Sequence, residues 1–401
     1  METSDTKNER KQAGVRSLMS SACAGIFVFG IVMAILGAIL PSLFSKIQFN
    51  KSEAGNLFFY MNLAMLAVSV FFGPIVDRFG YKIFLMLSSL LVALSLILFN
   101  LASTYSFLIL AAVLLGFGGG GLNGGSNALT SDLYPERRSA ALNLLGIFFG
   151  FGALAIPFLI GMLLGSIGLN AILIVAMLLS LIPFLFFVLL RFPLAKQAQG
   201  FPLRQAAKVV GHPLLWLCGF LLFFQSGNEF TIGGWTSTYL NEYFRLTPTT
   251  ASLVLAGYWA AIMIGRLIVT RLVRLVKNET LILGSAILSF LAAVIMVSAA
   301  SGGMASLGAV LIGLGFAAVY PTTLAVVGEA FPAFSGTAFG VVFVIGLAGG
   351  MTAPWLAGKV AMASSLRHGF FIPVFNCAMI VILQLAIIRS LRRQKISSAL
   401  K

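Results

Sequence analysis

Twelve times along its 401 residues the chain runs for about 20 residues with almost no charge. That is the length a helix needs to cross the hydrocarbon of a bilayer. The runs fall at 21–44, 54–76, 82–102, 106–131, 139–165, 171–190, 213–240, 249–272, 280–300, 305–328, 336–359 and 370–389. With 59% of residues hydrophobic and 9% charged, no soluble core could hide the apolar surface, so lipid is the solvent. Helices follow because backbone groups in lipid must be satisfied within the segment, and nothing alternates like a barrel strand. The first run follows a polar, basic stretch, as a signal-peptide core would. It is too long for one and eleven similar runs follow, so it is read as span 1, retained.

One stretch of the chain occurs twice. A shift of 197 (313 − 116) carries Gly116 to Gly161 onto Gly313 to Gly358 without a gap. Gly116 and Gly118 land on Gly313 and Gly315; Asp132 and Pro135 of "DLYP" land on Glu329 and Pro332 of "EAFP". Gly152, Pro157 and Gly161 land on Gly349, Pro354 and Gly358. Shared composition could explain the glycines, but not an acidic turn and an interior proline held in one register. Two like halves with six spans each suggest a transporter with its site between them. The expected organisation is a tail (1–20), a six-helix half (21–190), a linker (191–212), a second six-helix half (213–390) and a tail (391–401).

The net charge of +15 would point to nucleic acid in a soluble protein, but here the basic residues sit at span ends and report topology. If the amino terminus is inside, 21 of the Lys and Arg residues fall on that side and five on the other. Both termini are therefore expected in the cytoplasm, with the chain in the cell (inner) membrane and the repeat parallel about the membrane normal. Cys23, Cys218 and Cys377 are scattered through apolar segments, which argues against a disulfide framework or a metal site. No cofactor and no nucleic-acid partner is expected.

Between spans 2 and 3 lies "GPIVDRFGYK", Gly73 to Lys82. Gly73 and Gly80 allow close approach and a tight turn, and Asp77 and Arg78 place a charge cluster at a helix end. The pattern resembles the loop 2–3 signature of the major facilitator superfamily, and the plan of twelve spans in two halves resembles that family over nearly the whole chain. The resemblance implies an all-α fold of two parallel six-helix repeats working by alternating access, normally as a monomer. It also implies that Gly73, Asp77, Arg78 and Gly80 gate one conformation rather than hold solute. The intact latch leans towards an outward-facing preference. The second half has only a degenerate counterpart, Gly265-Arg266 to Arg271 and Arg274, with no acid.

Span 4 repeats Gly116, Gly120 and Gly124 every fourth residue, a smooth strip for helix packing. Asn123 and Asn127 lie one turn apart on a neighbouring face, either as interhelical glue or as ligands for a solute. Pro157 and Pro354 are expected to bend spans 5 and 11 alike.

Span 7 reads "FFQSGNEFTIGGWTSTYL". Gln225, Asn228, Glu229, Trp235, Thr236 and Tyr239 recur at three- and four-residue spacing as a polar and aromatic stripe. Of eleven acids, Glu229 alone lies deep in a span, 16 residues or roughly 24 Å beyond Pro213. An ionised carboxylate at that depth must face a cavity, find a partner or bind a proton reversibly. A carboxyl that stays protonated and bonds Asn228 or Gln225 is the structural alternative. Arg266 is expected to be a poor partner, being near the other end of its span. Tyr258 and Trp259 on span 8 and Tyr320 on span 10 add aromatic faces that suit a sugar, or that anchor the spans at the interface.

The acid-Gly-Gly-Trp run of span 7, the Tyr-Trp and Gly-Arg of span 8 and the Tyr-Pro-Thr of span 10 look like the fucose/glucose–proton symporter group. That group carries coupling acids in spans 1 and 4. Here span 1 has none and span 4 offers Asn123 and Asn127, so proton coupling would fall to Glu229. The reading is a transporter of a small hydrophilic solute, a sugar first, cotransported with protons. Asn123, Asn127, Gln225, Asn228, Glu229, Trp235, Tyr258, Trp259 and Tyr320 are its candidate solute ligands. Proton-driven efflux of an amphipathic compound or lipid is the alternative, and a uniporter stays open. An enzyme is not expected, because His212 and His368 lie at span ends and no second deep acid exists.

Overall fold

A computed structural model describes residues 4–192, 210–331 and 335–399, with the side chains of 4–13, 73, 74, 77, 138–140, 143, 335–337 and 393–399 outside the description. Gly73 and Asp77 of the expected gate fall among the latter, and 193–209 of the linker lie outside altogether. Every regular element among the described residues is a helix. Ser4–Lys46 carries span 1, Lys51–Leu101 spans 2 and 3, Tyr105–Leu133 span 4 and Arg138–Leu189 spans 5 and 6. Pro213–Phe244, Pro248–Leu272, Asn278–Ser298, Gly302–Ala330 and Ser335–Ala363 are spans 7 to 11, and the turn Leu366–Gly369 leads into span 12, Phe371–Ala399.

Two helices are too long for one crossing. Leu144–Leu189 is 46 residues long, about 69 Å of helix against roughly 30 Å of hydrocarbon. The chain breaks at Gly168 (φ 75°) there and at Gly80 (φ 78°) between spans 2 and 3, in a region of backbone space that only glycine enters freely. Each break separates two crossings. Among the described residues ten helices are long and apolar enough to cross a membrane, and Pro213–Phe244 is not among them. Its polar run lowers its hydropathy, and the same run is buried within the protein rather than offered to lipid.

The chain divides into two compact units, Met1–Leu36 with Leu63–Gln199, and Gly37–Asn62 with Gly200–Lys401. Within each, small residues meet at helix contacts while Leu87, Leu178, Leu185 and Leu291 are more than half exposed, the arrangement expected where lipid covers the outside. The repeat reappears as contacts. Tyr81 Oη donates to Asp132 Oδ2 (2.9 Å), and Asn278 Nδ2, at the same 197-residue shift, donates to Glu329 Oε1 (3.2 Å). Gly118 rests against the carbonyl of Ser88 and Gly315 against that of Ser285, again matched positions. Lys82 Nζ donates to the carbonyl of Val188 (2.7 Å), tying the start of span 3 to the end of span 6. Gln384 Nε2 donates to the carbonyl of Glu279 (2.8 Å) and ties span 9 to span 12.

Spans 1 and 5 touch backbone to backbone where Gly152 meets the carbonyl of Phe27, and spans 7 and 11 do so where Gly349 meets that of Phe223. A methyl group at either glycine would collide with the facing carbonyl. We predict that Gly152→Ala and Gly349→Ala each destabilise by about 1–3 kcal/mol. Gly165 has nothing within 4 Å of an added Cβ, so Gly165→Ala stabilises by roughly 0.5–1 kcal/mol. Thermal unfolding in detergent separates them; equal midpoints for the three variants would refute the close-contact account.

Candidate functional site

Span 7 begins at Pro213, whose missing N–H costs nothing at a first turn, with His212 Nδ1 accepting from the amide of Leu214 (3.2 Å). From Gln225 to Leu240 it is walled in on nearly every side. Its glycines allow this: Gly233 lies 3.2 Å, measured from an added Cβ, from the Trp259 indole, and Gly234 packs on the Phe58 ring.

Gln225 Nε2 donates to Glu229 Oε1 (2.9 Å), as their i, i+4 spacing invites. Arg266 of span 8 lies within electrostatic reach of Glu229, Tyr258 and Tyr320. This corrects the expectation that Arg266 is too far away in depth. Counting residues along an axis ignores the long stem of an arginine, which can carry its head far from its own Cα. Tyr258 is fully buried, edge-on to Trp259 (5.1 Å), and within electrostatic reach of Glu229, Arg266 and Cys377. Asn228 Nδ2 donates to Cys377 Sγ (3.2 Å), bringing in span 12, and Tyr320 stacks on Phe343 of span 11. The cluster thus gathers Gln225, Asn228, Glu229, Tyr258, Trp259 and Tyr320 from the expected set and adds Arg266 and Cys377.

Trp235 is used differently from its neighbours: its indole N–H donates to the carbonyl of Pro354 (3.1 Å) and its ring packs on Phe58 (5.9 Å). Asn123 and Asn127 belong to the other unit, where Asn127 Nδ2 donates to Asn123 Oδ1 (2.9 Å) and to its carbonyl. Arg78 is exposed and lies over the Phe79 ring (5.4 Å).

At the end of the spans away from the chain termini, the second unit carries a further set of contacts. Lys51 pairs with Glu242 (2.7 Å), Trp355 Nε1 donates to Asn56 Oδ1 (3.0 Å), and Lys359 lies over the Trp355 ring (5.7 Å). Gly37 packs against the backbone of Gly233 and Gly234. So the second unit holds the ends of spans 1 and 2 from Gly37 to Asn62 together with spans 7 and 11.

A family model described as "Major Facilitator Superfamily" matches residues 22–354 and 215–399. The chain belongs to the Major Facilitator Superfamily. It is therefore a multi-pass membrane transporter and not an enzyme. An uncharacterized transporter of this superfamily from Yersinia pestis is 23% identical over 94% of this chain and 95% of its own length. A glucose/galactose transporter from Brucella abortus is 22% identical over 88% of this chain and 90% of its own. Among solved structures, a D-xylose–proton symporter superposes with a TM-score of 0.77 at 17% identity, covering 93% of this chain and 97% of that one. The E. coli fucose–proton symporter does so at 0.63 and 18%, covering 92% and 98%. At these identities the superfamily fold is what is shared.

In a superfamily member whose charges are sparse inside the spans, two opposite charges within electrostatic reach of each other should be energetically coupled. Arg266→Gln, which leaves Glu229 without its countercharge, is expected to cost about 3 kcal/mol. Combined with Glu229→Gln it should cost less than the two single changes together, by 1 kcal/mol or more. Thermal stability of the four proteins measures this, and strict additivity sinks the pairing.

Proposed function

We propose that the protein is a proton-coupled symporter for a small, uncharged, hydrophilic solute, with sugars the first class to test. The observation that carries this is the cluster around Glu229: the deep acid of span 7, bonded by Gln225, faced by Arg266 and surrounded by Asn228, Tyr258, Trp259 and Tyr320. One acid and one base cancel, so the site favours no net charge on the solute. The amides and hydroxyls supply hydrogen bonds and the rings supply flat faces. Glu229 exchanges the coupling proton, and Arg266 changes partners when it does. Kinship in fold with sugar–proton symporters, and similarity to a glucose/galactose transporter, support the same class.

In this reading the protein works as a monomer in the cell membrane with both termini in the cytoplasm, and Gly73, Asp77, Arg78 and Gly80 latch the cytoplasmic side. The contacts at the far end, Lys51–Glu242 and Asn56–Trp355, break and re-form in each cycle. They are suited to it, since a partly exposed ion pair contributes only about 0.2–1 kcal/mol.

A second reading, proton-driven efflux of an amphipathic compound, draws on one feature of the first unit. A cavity of about 450 Å³ between spans 1 and 5 is lined by Phe27, Phe148, Phe151, Leu154, Ala155 and Phe158, with almost no polar surface.

Reconstituted into liposomes, the wild type is expected to accumulate D-xylose, D-glucose or D-galactose only under an inward proton gradient. Glu229→Gln should still exchange that sugar at equilibrium but no longer concentrate it. Gradient-driven accumulation that survives in Glu229→Gln would make the residue structural. No sugar movement in the wild type, with gradient-dependent extrusion of a lipophilic dye, would favour efflux.

A further inference from the structure

Four amides in the second unit keep a buried oxygen with no hydrogen-bond partner in the protein: Asn62 Oδ1, Gln225 Oε1, Asn228 Oδ1 and, outside the Glu229 cluster at the junction of spans 9 and 12, Gln384 Oε1. In each, the nitrogen is committed. Asn62 Nδ2 donates to the carbonyl of Phe58 (2.9 Å), Gln225 Nε2 to Glu229 Oε1 (2.9 Å) and Asn228 Nδ2 to Cys377 Sγ (3.2 Å). Turning Asn62 over, or Gln225 while Glu229 is ionised, would set oxygen against oxygen, so in that state the orientation of both is determined. The unused atoms of Asn62 and Gln225 are therefore acceptors, and burying an acceptor unpaired is costly unless something brings it a donor.

Gln225 and Asn228 belong to the stripe on span 7. Asn62 does not. It is the single amide in the largely apolar run "LFFYMNLAML" of span 2, wholly buried. Its oxygen faces Gly350 of span 11, where an added Cβ would sit 3.3 Å from Oδ1 and 2.6 Å from the Phe230 ring. Phe230 follows Glu229, so the Asn62 oxygen reaches the seam of spans 7 and 11 at about the depth of the acid, on the adjoining face of span 7. Span 11 offers it no side-chain donor at Gly350. Pro354 also lacks the N–H that would bond the Gly350 carbonyl, which leaves another acceptor in the same place.

We infer that Asn62 is a specificity-determining residue of the solute site, accepting a hydrogen bond from the solute. The acceptor set then selects molecules rich in hydrogen-bond donors, such as polyhydroxylated sugars, and rejects oxyanions of similar size. This rests on the Glu229 cluster being the solute site. Carboxylates and phosphates bring no donors to these oxygens, whereas each sugar hydroxyl can supply one.

The test compares wild type, Asn62→Ala and Asn62→Ser for uptake of D-xylose, D-glucose and D-galactose and of their monodeoxyfluoro analogues. D-glucuronate and glucose 6-phosphate serve as the anionic probes. Fluorine keeps roughly the size of a hydroxyl but cannot donate. For the wild type, fluorine at one ring position should raise KM about tenfold, and neither anion should be carried. In Asn62→Ala the parent sugar's KM should rise about tenfold at nearly unchanged kcat, and that one fluoro analogue should now match its parent. Asn62→Ser, which restores a short acceptor, should fall between. Wild-type KM and undiminished analogue discrimination in Asn62→Ala would overturn the assignment while leaving the Glu229 reading intact, as would a fall in kcat alone. If both variants fail to fold, Asn62 is a packing residue of spans 2 and 11 and the assignment fails. A wild type that carries no sugar of the panel removes the functional reading itself, and this assignment with it.

Discussion

A carboxylate cannot be left alone in hydrocarbon, and much of the second unit can be read as the consequence of placing one there. Glu229 needs a countercharge, and Arg266 of span 8 lies within electrostatic reach of it. The two together need polar company, which Gln225, Asn228, Tyr258 and Tyr320 provide. Span 7 must then withdraw from lipid along this stretch, because a helix carrying that stripe is too polar to face it. Withdrawal requires neighbours to close in, and glycines make the close approach possible: Gly349 against Phe223, and Gly233 and Gly234 against Gly37 and Trp259. Packing here follows from electrostatics.

The duplication shows which parts of the fold are geometry and which are chemistry. Tyr81–Asp132 and Asn278–Glu329 occupy matched positions and make the same kind of bond with different donors. The junction of spans 3 and 6 is tied by a lysine side chain to a main-chain carbonyl. That of spans 9 and 12 is tied by a glutamine reaching the opposite way. The scaffold needs a contact at each place and is indifferent to which residue makes it. The deep charge cluster is not repeated: the first unit has a hydrogen-bonded Asn123–Asn127 pair and a phenylalanine-lined groove. A symmetric frame thus carries an asymmetric site.

That distinction also explains what could be read from the chain alone. Spans are legible because lipid imposes length and composition, and the glycine register is legible because a missing Cβ has no substitute at a backbone contact. Glu229 is legible as a rarity. Tyr81 with Asn278 is not, because the duplicated contact survived while the residue types diverged. Arg266 is misjudged because sequence position locates a Cα, and an arginine acts several ångströms from its own. Asn62 carries no periodic signal: one amide in an apolar run looks like helix glue until its oxygen is seen to face a glycine and not a donor.

The charge pair and the unused acceptors make complementary demands on whatever binds between them. A proton arriving at Glu229 would neutralise the acid and leave the Arg266 cation short of a partner, so the pair can be discharged at low cost only if something else accepts from the guanidinium. The amide oxygens of Asn62, Gln225 and Asn228 meanwhile need donors. A carboxylate answers the first demand alone, and an ammonium the second alone. A hydroxyl both accepts and donates, so a molecule carrying several can satisfy arginine and amides at once. Under the proposed symport no special relay is needed: proton without solute leaves a buried cation short of a partner, and solute without proton competes with Glu229 for Arg266. Either arrival alone is unfavourable, and the two together are not.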